Sequence, residues 1–339
     1  MTEEWVSVHT PDGVTVTQYG PSEMTQLTWG RQLRDVSKCE LVLPPPPETP
    51  PSIAPWVHWV SVWDGNGALQ WTGPVLKTSV SPDGVTISAR DVAALLARTR
   101  TPIRKRWDAV NPAIPAAELW RAMIELHGLH VKVVQRPDPE ADYFDITCKA
   151  DEEMLDKTIG DLVGLGLRWT VVAGVPLLGP ATVDPVATLG ENDFLGGVEV
   201  IRDGAETFND VLVRGPDKLA QARVPLHGLS LQTIVNIDSM FGVGNVDRAA
   251  RQYARHTGAI RDAISLPSGT ALHPDAPVGI EQLIPSARFV IAAHGQRYLM
   301  ELEAMQRDAA ADGAATTVTM ESVIEKPELA ELKPGQRTR

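Results

Sequence analysis

Cysteine is nearly missing: Cys39 and Cys148 are the only two in 339 residues. They lie far apart in unrelated contexts, which excludes a disulfide framework and a thiolate metal site as organising features. Both read as small buried residues. No window approaches the ~18 uninterrupted apolar residues of a membrane span, so no membrane span is expected. Basic excess is lacking too, with 31 Lys and Arg against 43 Asp and Glu and a net charge of −12. Without surplus cations to neutralise phosphates, no specific nucleic-acid binding is expected. The opening "MTEEWVSVHTPDG" carries acidic residues where a signal peptide carries basic ones, and no apolar stretch follows. Synthesis and retention in a cytoplasm, until assembly or lysis, is the expectation.

Signatures of chemistry are also wanting. There is no G-x-x-x-x-G-K-[ST] phosphate loop, H-E-x-x-H zinc helix, EF-hand loop or G-x-S-x-G elbow. "FGVGN" (Phe241 to Asn245) has two glycines of a dinucleotide loop, but Asp247 replaces the third and no buried parallel strand is expected before it. In "HGLH", Gly128 ends a helix between His127 and His130, so the two imidazoles diverge. Asp142 with Asp145, or Glu152 with Glu153, would serve as acid and base only if brought to one cleft, as a glycosidase requires. No catalytic, cofactor-binding or metal-binding residue is assigned, and no cofactor is expected.

What is present is 43% apolar and 22% charged residues, the balance of a globular chain of about two or three domains. The first hundred residues predict short strands. "WVSVHTPDGVTVTQ" and "LKTSVSPDGVTISA" each place a Pro-Asp-Gly turn before alternating apolar residues, Val14 and Val16 in one, Val85, Ile87 and Ala89 in the other. "CELVLPPPPETPPSIAP" ends a strand in an extended proline run, a rigid loop. Asp91 offers an N-cap to a short helix, "VAALLART". The basic stretch "RTRTPIRKRW" (Arg98 to Trp107) reads as a solvated loop, with contact to an acidic partner patch as the alternative.

Two amphipathic helices follow, one with Leu119, Trp120, Met123, Ile124 and His127 at helical spacing, the other with Met154, Leu155, Ile159, Leu162 and Val163. "LHVKVV" between them predicts a strand, and "LRWTVVAGVPLLG" a hairpin turning at Ala173-Gly174. Later, "GVEVIRDG" and "FNDVLVRG" predict strands, and "VDRAARQYARHTG" a helix with Ala249, Ala250, Tyr253 and Ala254 on one side. "ARFVIAAHGQRYLMELEAMQRD" and "ATTVTMESVI" predict closing strands. The last fifteen residues are charged and proline-punctuated, a frayed tail.

Four tryptophans, Trp56, Trp59, Trp63 and Trp71, crowd one segment. Strand alternation sends Val57, Trp59 and Trp63 to one face and Trp56, Val60 and Val62 to the other. A sugar platform would leave flanking positions polar; here both faces are apolar, which favours a strand covered on both sides over a stacking platform.

In order and spacing, "WVSVWDGNGALQWTGPVLKTSVSPDGVTISARDVAALLARTR", "DLVGLGLRWTVVAGVPLLG", "FNDVLVRG" and "APVGIEQLIPSARFVI" resemble hub-like minor tail proteins of siphovirus-type phages infecting actinobacteria, distantly similar to the baseplate hub of contractile-tailed phages. The family commonly introduces its late strand with Pro-Gly, where this chain has Pro285-Ser286. The resemblance implies a mainly β fold with an α+β insertion, two small β-barrel domains flanking an α/β unit. The expected boundaries are an N-terminal β-barrel domain over 1–100, an α+β insertion over 101–185, a C-terminal β-barrel domain with a helix over 186–324, and a flexible tail over 325–339. It further implies a virion structural protein without enzymatic turnover, a homotrimeric ring at the tail tip. Its partners would be the distal tail protein and other tail tip proteins. The alternatives are a tail-associated peptidoglycan or glycan hydrolase and a carbohydrate-binding tail protein.

Overall fold

The structure, a computed structural model, describes residues 4–45, 52–216, 218–237, 243–265, 271–310 and 313–323. In the first hundred residues, β1 (Trp5–His9), β2 (Thr15–Tyr19), β3 (Gln26–Gln32), β4 (Lys38–Leu43), β5 (Trp59–Trp63), β6 (Leu69–Ser81) and β7 (Gly84–Arg90) precede a 3-10 helix, Val92–Arg98. The middle mixes β8 (Lys105–Val110), α1 (Ala113–Leu126), β9 (Val134–Gln135), β10 (Phe144–Cys148), α2 (Leu155–Gly164), β11 (Trp169–Val172) and β12 (Val175–Leu178). Next come β13 (Pro185–Gly190), β14 (Glu199–Asp203), β15 (Asp210–Arg214), β16 (Leu219–Arg223), β17 (Gln232–Asn236) and α3 (Val243–Thr257). Strands β18 (Arg261–Ser265), β19 (Arg288–Ala293), β20 (Gln296–Ala310) and β21 (Gly313–Ser322) complete the fold. Among the described residues no helix is long and apolar enough to cross a membrane.

The architecture is mainly β with an α+β unit, but the expected barrels are not closed. One sheet of 13 strands runs β14-β18-β21-β20-β3-β4-β7-β6-β5-β1-β2, with β19 also on β20 and β13 on β19. The reason lies in β20. Its first half pairs β19, from Gln296 to Glu301, and its second half pairs β3, Ala304 opposite Gln32 to Ala310 opposite Gln26. A register shift between Leu302 and Ala304 against β21 marks the change, as a bulge re-aims a strand. Each half of the chain thus offers a strand to the other instead of curling onto its own edge.

Both Pro-Asp-Gly segments form the expected hairpins, β1 with β2 and β6 with β7. Val85, Ile87 and Ala89 are buried, whereas Val14 and Val16 are exposed beside and on β2, the sheet's terminal strand. The turn at Ala173-Gly174 joins β11 to β12 with φ of 50° and 77°, the two positive angles a type I′ hairpin needs.

Two sequence signatures meet in space. Trp71 and Gly73 belong to W-x-G-P-V, and Asp91 ends A-R-D. A Cβ on Gly73 would lie 1.8 Å from the Arg90 carbonyl oxygen, so only glycine lets β6 approach there. Beside it, the Trp71 indole donates to Ser37 Oγ (2.9 Å), and the Ser37 hydroxyl and backbone N–H both donate to Asp91 Oδ2. Asp91 Oδ1 accepts from Ala93 N–H (2.8 Å), capping the 3-10 helix as expected. Pro285-Ser286 is also accounted for. Ser286 sits at φ 70°, the left-handed region glycine prefers, and its buried hydroxyl accepts the Ala181 N–H (2.7 Å).

Three local expectations are corrected. Of "LHVKVV" only Val134 enters a strand, β9, parallel to β12; Leu129, Val131 and Val133 pack on the helical core without a ladder. The stretch from Arg98 to Trp107 is not all loop, because Lys105 starts β8, anchored by buried Trp107, whose indole donates to Glu118 (3.1 Å). Trp56 and Val57 lie in a turn before β5, so strand alternation does not apply to them. Residues 46–51 of the proline run and the last fifteen residues lie outside the described residues.

Two cores result. One gathers α1, α2, α3 and strands β8, β10, β11, β15 and β16, with Trp120 and Trp169 at 5.7 Å and 58° between rings. The other fills the large sheet from Val6 to Met320.

Asp91 generates a pH prediction. Burial pushes its carboxyl up to about 6, against the hydrogen bonds from Ser37 and Ala93 that pull it down. With the folded pKa above the unfolded one, its contribution to stability is greatest at low pH and is lost as pH rises through about 6. Lowering pH from about 7.5 to 5.5 should stabilise the protein by roughly 1 kcal/mol through this group. Thermal denaturation across that range should show the gain in the parent and its loss in Asp91→Asn.

Candidate functional site

The tryptophan segment separates into three packed side chains and one exposed. Strand β5 stands between the two cores: Trp59 belongs to the helical core, Val60 and Val62 to the sheet core. Trp71 is fully buried on the sheet side, and half-buried Trp63 donates its indole N–H to Ser7 Oγ (2.9 Å). The expected double coverage of this strand is therefore provided within one chain. Trp56 alone is open, 40% exposed at the rim of a depression of about 530 Å³.

A second concavity, of about 450 Å³, is charged. It lies where α2 and α3 face the polar side of β20 and β21, lined in part by Arg34, Glu140, Arg168, Glu301, Glu303 and Tyr253. Met300 and Leu302 point into the sheet core, so the alternating Glu301 and Glu303 take the opposite face. Glu303 accepts from Arg34 (2.8 Å), Arg168 bridges Glu140 (3.0 Å) and Glu301 (3.5 Å), and Arg288 reaches both Glu140 oxygens (2.8 and 2.7 Å).

Burial pushes Glu301 and Glu303 above the ordinary carboxylate range, opposed by Arg168 for Glu301 and by Arg34 for Glu303. Burial also acts on Glu140, but the hydrogen bonds from Arg288 and Arg168 prevail and hold it low. Glu140, Glu301 and Glu303 are each committed to a guanidinium. The hydroxyls in the lining are those of Tyr253 and Ser322, and burial pushes the Tyr253 phenol up to about 12. The arrangement ties β3's end, the inserted α+β segment and β20 together. Period-two alternation of glutamate with Met300, Leu302 and Ala304 is the sequence signal that would have found it.

The sequence candidates do not converge. Asp142 pairs with Arg255 (3.5 Å), whereas Asp145 accepts from Ala109 N–H (2.7 Å). Glu152 pairs with Lys149 (3.2 Å), and Glu153 holds Lys157 and the Thr158 hydroxyl (both 3.0 Å). His127 bonds Thr99 Oγ1 (2.8 Å), and exposed His130 makes no joint site with it. In "FGVGN", Val243 to Asn245 open α3, and the buried Asn245 amide bonds the Asp145 backbone; Phe241 and Gly242 lie outside the described residues.

One pair was not foreseen: His9 Nε2 lies 2.7 Å from Ser61 Oγ. That serine is buried and shares its hydroxyl with Thr72 Oγ1 (2.7 Å), a cross-strand polar ladder closed to substrate. Both cysteines are buried, and burial pushes their thiols up, Cys148 to about 12, so neither is a ready thiolate. Among the described residues no group of three His, Cys, Asp or Glu is placed to hold a metal ion.

No family model matches the chain, and no curated protein matches it. Solved structures are similar in fold over nearly its whole length. A tail protein from Neisseria meningitidis aligns at a TM-score of 0.66 with 15% identity, covering 94% of this chain and 96% of that one. A 43 kDa tail protein of prophage MuSo2 from Shewanella oneidensis aligns at 0.63 with 14% identity, covering 94% and 96%. A prophage tail protein from Listeria monocytogenes aligns at 0.59 with 9% identity, covering 94% of each. At such identities the likeness is one of fold.

The packing of the tryptophans is open to direct test. Trp71→Ala should cost about 3 to 5 kcal/mol, the usual loss for a fully buried aromatic, and leave Ser37 Oγ without the indole donor it accepts from. Trp63→Ala should cost less, since that ring is half-buried. Chemical denaturation checks both; parent-like midpoints with loss of binding to cell-wall glycan would contradict the packing.

Proposed function

We propose that this chain is a structural component of a phage virion, a minor tail protein that forms the hub of the tail tip of an actinobacterial phage. The observation that carries the reading is the fold likeness to three tail proteins over 94% of the chain. The ordered motifs of the sequence support the narrower assignment. In this role the protein is a rigid adaptor without turnover, joining the tail tube or distal tail protein to receptor-binding or wall-penetrating proteins during attachment and genome delivery.

We propose a homotrimeric ring. The large sheet ends at β2, β14 and β13, and each has a single strand partner among the described residues. Open edges are surfaces a heterologous, closing contact can use. The proposed division at residues 100, 185 and 324 enters this reading with one feature of packing: α3, β15 and β16 share the core of α1 and α2. The negative net charge at most discourages DNA from adhering as it passes.

Disrupting the gene should yield particles that lack complete tail tips, as seen by electron microscopy. Normal, infectious tails without the protein would refute the assignment, and a single copy per intact tail would refute the ring. Zymography on host cell walls should show no lysis; a clear band at this mass would favour the hydrolase.

A further inference from the structure

We infer that the depression holding Trp56 binds a carboxylated pyranose, a saccharide ring that carries an acid group. Trp56 is the one open member of its cluster and sits at φ 64°, a left-handed backbone that bulky residues seldom adopt. The turn holding it is tied at several points: Trp56 N–H donates to Val75 O (2.7 Å), His58 N–H to Ala54 O (3.1 Å), and Ala54 N–H to His58 Nδ1 (2.9 Å). A strained and fixed backbone presents the ring, a combination that concentrates at binding sites.

The surroundings define the ligand. Trp56, Trp59, Pro74 and Leu95 supply an apolar lining, in a volume of about 530 Å³, within the usual range for small-ligand sites. The polar groups are Arg98 and His127. Arg98 places its guanidinium carbon 6.0 Å from the Trp56 ring centroid and has no acidic partner among the described residues. Of the cations that follow it, Arg100, Lys105 and Arg106 are paired with Asp151, Glu118 and Asp108, and Arg104, also without an acidic partner among the described residues, does not line the depression. In a chain of net charge −12, an unpaired cation beside an open indole suits an anion with an apolar face.

His127 adds a requirement. The Thr99 hydroxyl donates its one proton to Leu95 O (2.7 Å), so its bond with His127 Nε2 (2.8 Å) is donated by the imidazole. In the neutral ring Nδ1 is then an acceptor, without a partner among the described residues. The site therefore offers a surface for stacking, a cation for a carboxylate and an acceptor for a hydroxyl. A neutral sugar leaves Arg98 unused, and an acidic peptide segment without a hydroxyl leaves His127 unused. A pyranose with a carboxylate satisfies all three.

The inference does not rest on the virion role. Titration calorimetry of the full chain with N-acetylmuramic acid, and with N-acetylglucosamine as the same ring lacking the acid, tests it. The acid sugar should bind saturably and about tenfold more tightly than the neutral one, the gain of one charge-assisted contact. Trp56→Ala should weaken the acid sugar at least about tenfold with the melting temperature unchanged. Arg98→Gln should remove the difference between the two sugars, and it carries the test if Trp56→Ala fails to fold. Absence of saturable binding by N-acetylmuramic acid, or equal binding by Trp56→Ala, would overturn the site. So would displacement of the sugar by a tighter-binding acidic, proline-containing peptide, which would make the depression a protein contact.

Discussion

The pairing of β3 with β20 holds the first strands and the closing strands in one sheet, and a buried charge pair locks it. Glu4, with its side chain 3% exposed, accepts from Arg307 Nε on β20 (3.0 Å) and from the Trp29 indole on β3 (3.2 Å). Arg307 also donates to Thr316 Oγ1 on β21 (2.8 Å). Burying two charges costs desolvation that only a well-bonded geometry offsets, and loss of one partner typically costs about 3 to 5 kcal/mol. The same strand β3 carries buried Arg31, which donates to Ile280 O (2.9 Å), Leu283 O (3.1 Å) and Gln70 Oε1 (3.1 Å). Burial lowers that guanidinium to about 10, leaving it charged at neutral pH.

From this seam the rest of the structure follows. With β3 shared, β4, β7, β6 and β5 extend the sheet one way while β21 and β18 extend it the other. Strand β5 then lies between the sheet core and the helical core, which is why both of its faces are apolar. The α+β segment is fastened to β20 by Arg168 on Glu301 and to β19 by Arg288 on Glu140, while Arg34, just after β3, pairs with Glu303 on β20. Together these ties brace the sheet core and the helical core against one another.

What was legible in the sequence was local. The Pro-Asp-Gly hairpins, the Asp91 cap, the two amphipathic helices and the Ala173-Gly174 turn each announce themselves within a few residues. The double coverage of Trp59 to Trp63 was readable because both faces of one strand are apolar. What was not legible is long-range. Period-two patterns do not name a partner, so the β3 and β20 seam was invisible, and with it the open sheet in place of two barrels. Leu129, Val131 and Val133 alternate as a strand would, yet the helical core takes their side chains and leaves the backbone unpaired by a ladder. The Trp56 depression depends on a positive φ that no residue type at that position advertises.

The central structural claim is that the first seven strands and β18 to β21 unfold as one unit because they share a sheet. Native-state hydrogen exchange of the full chain tests this at the seam. The amides of Leu27 to Arg31 and of Ala304 to Ala309 should exchange among the slowest, with the same opening free energy as those of β7 and β21. Fast exchange at the seam while β7 and β21 remain protected, each with its own opening free energy, would contradict it and show two separately stable halves.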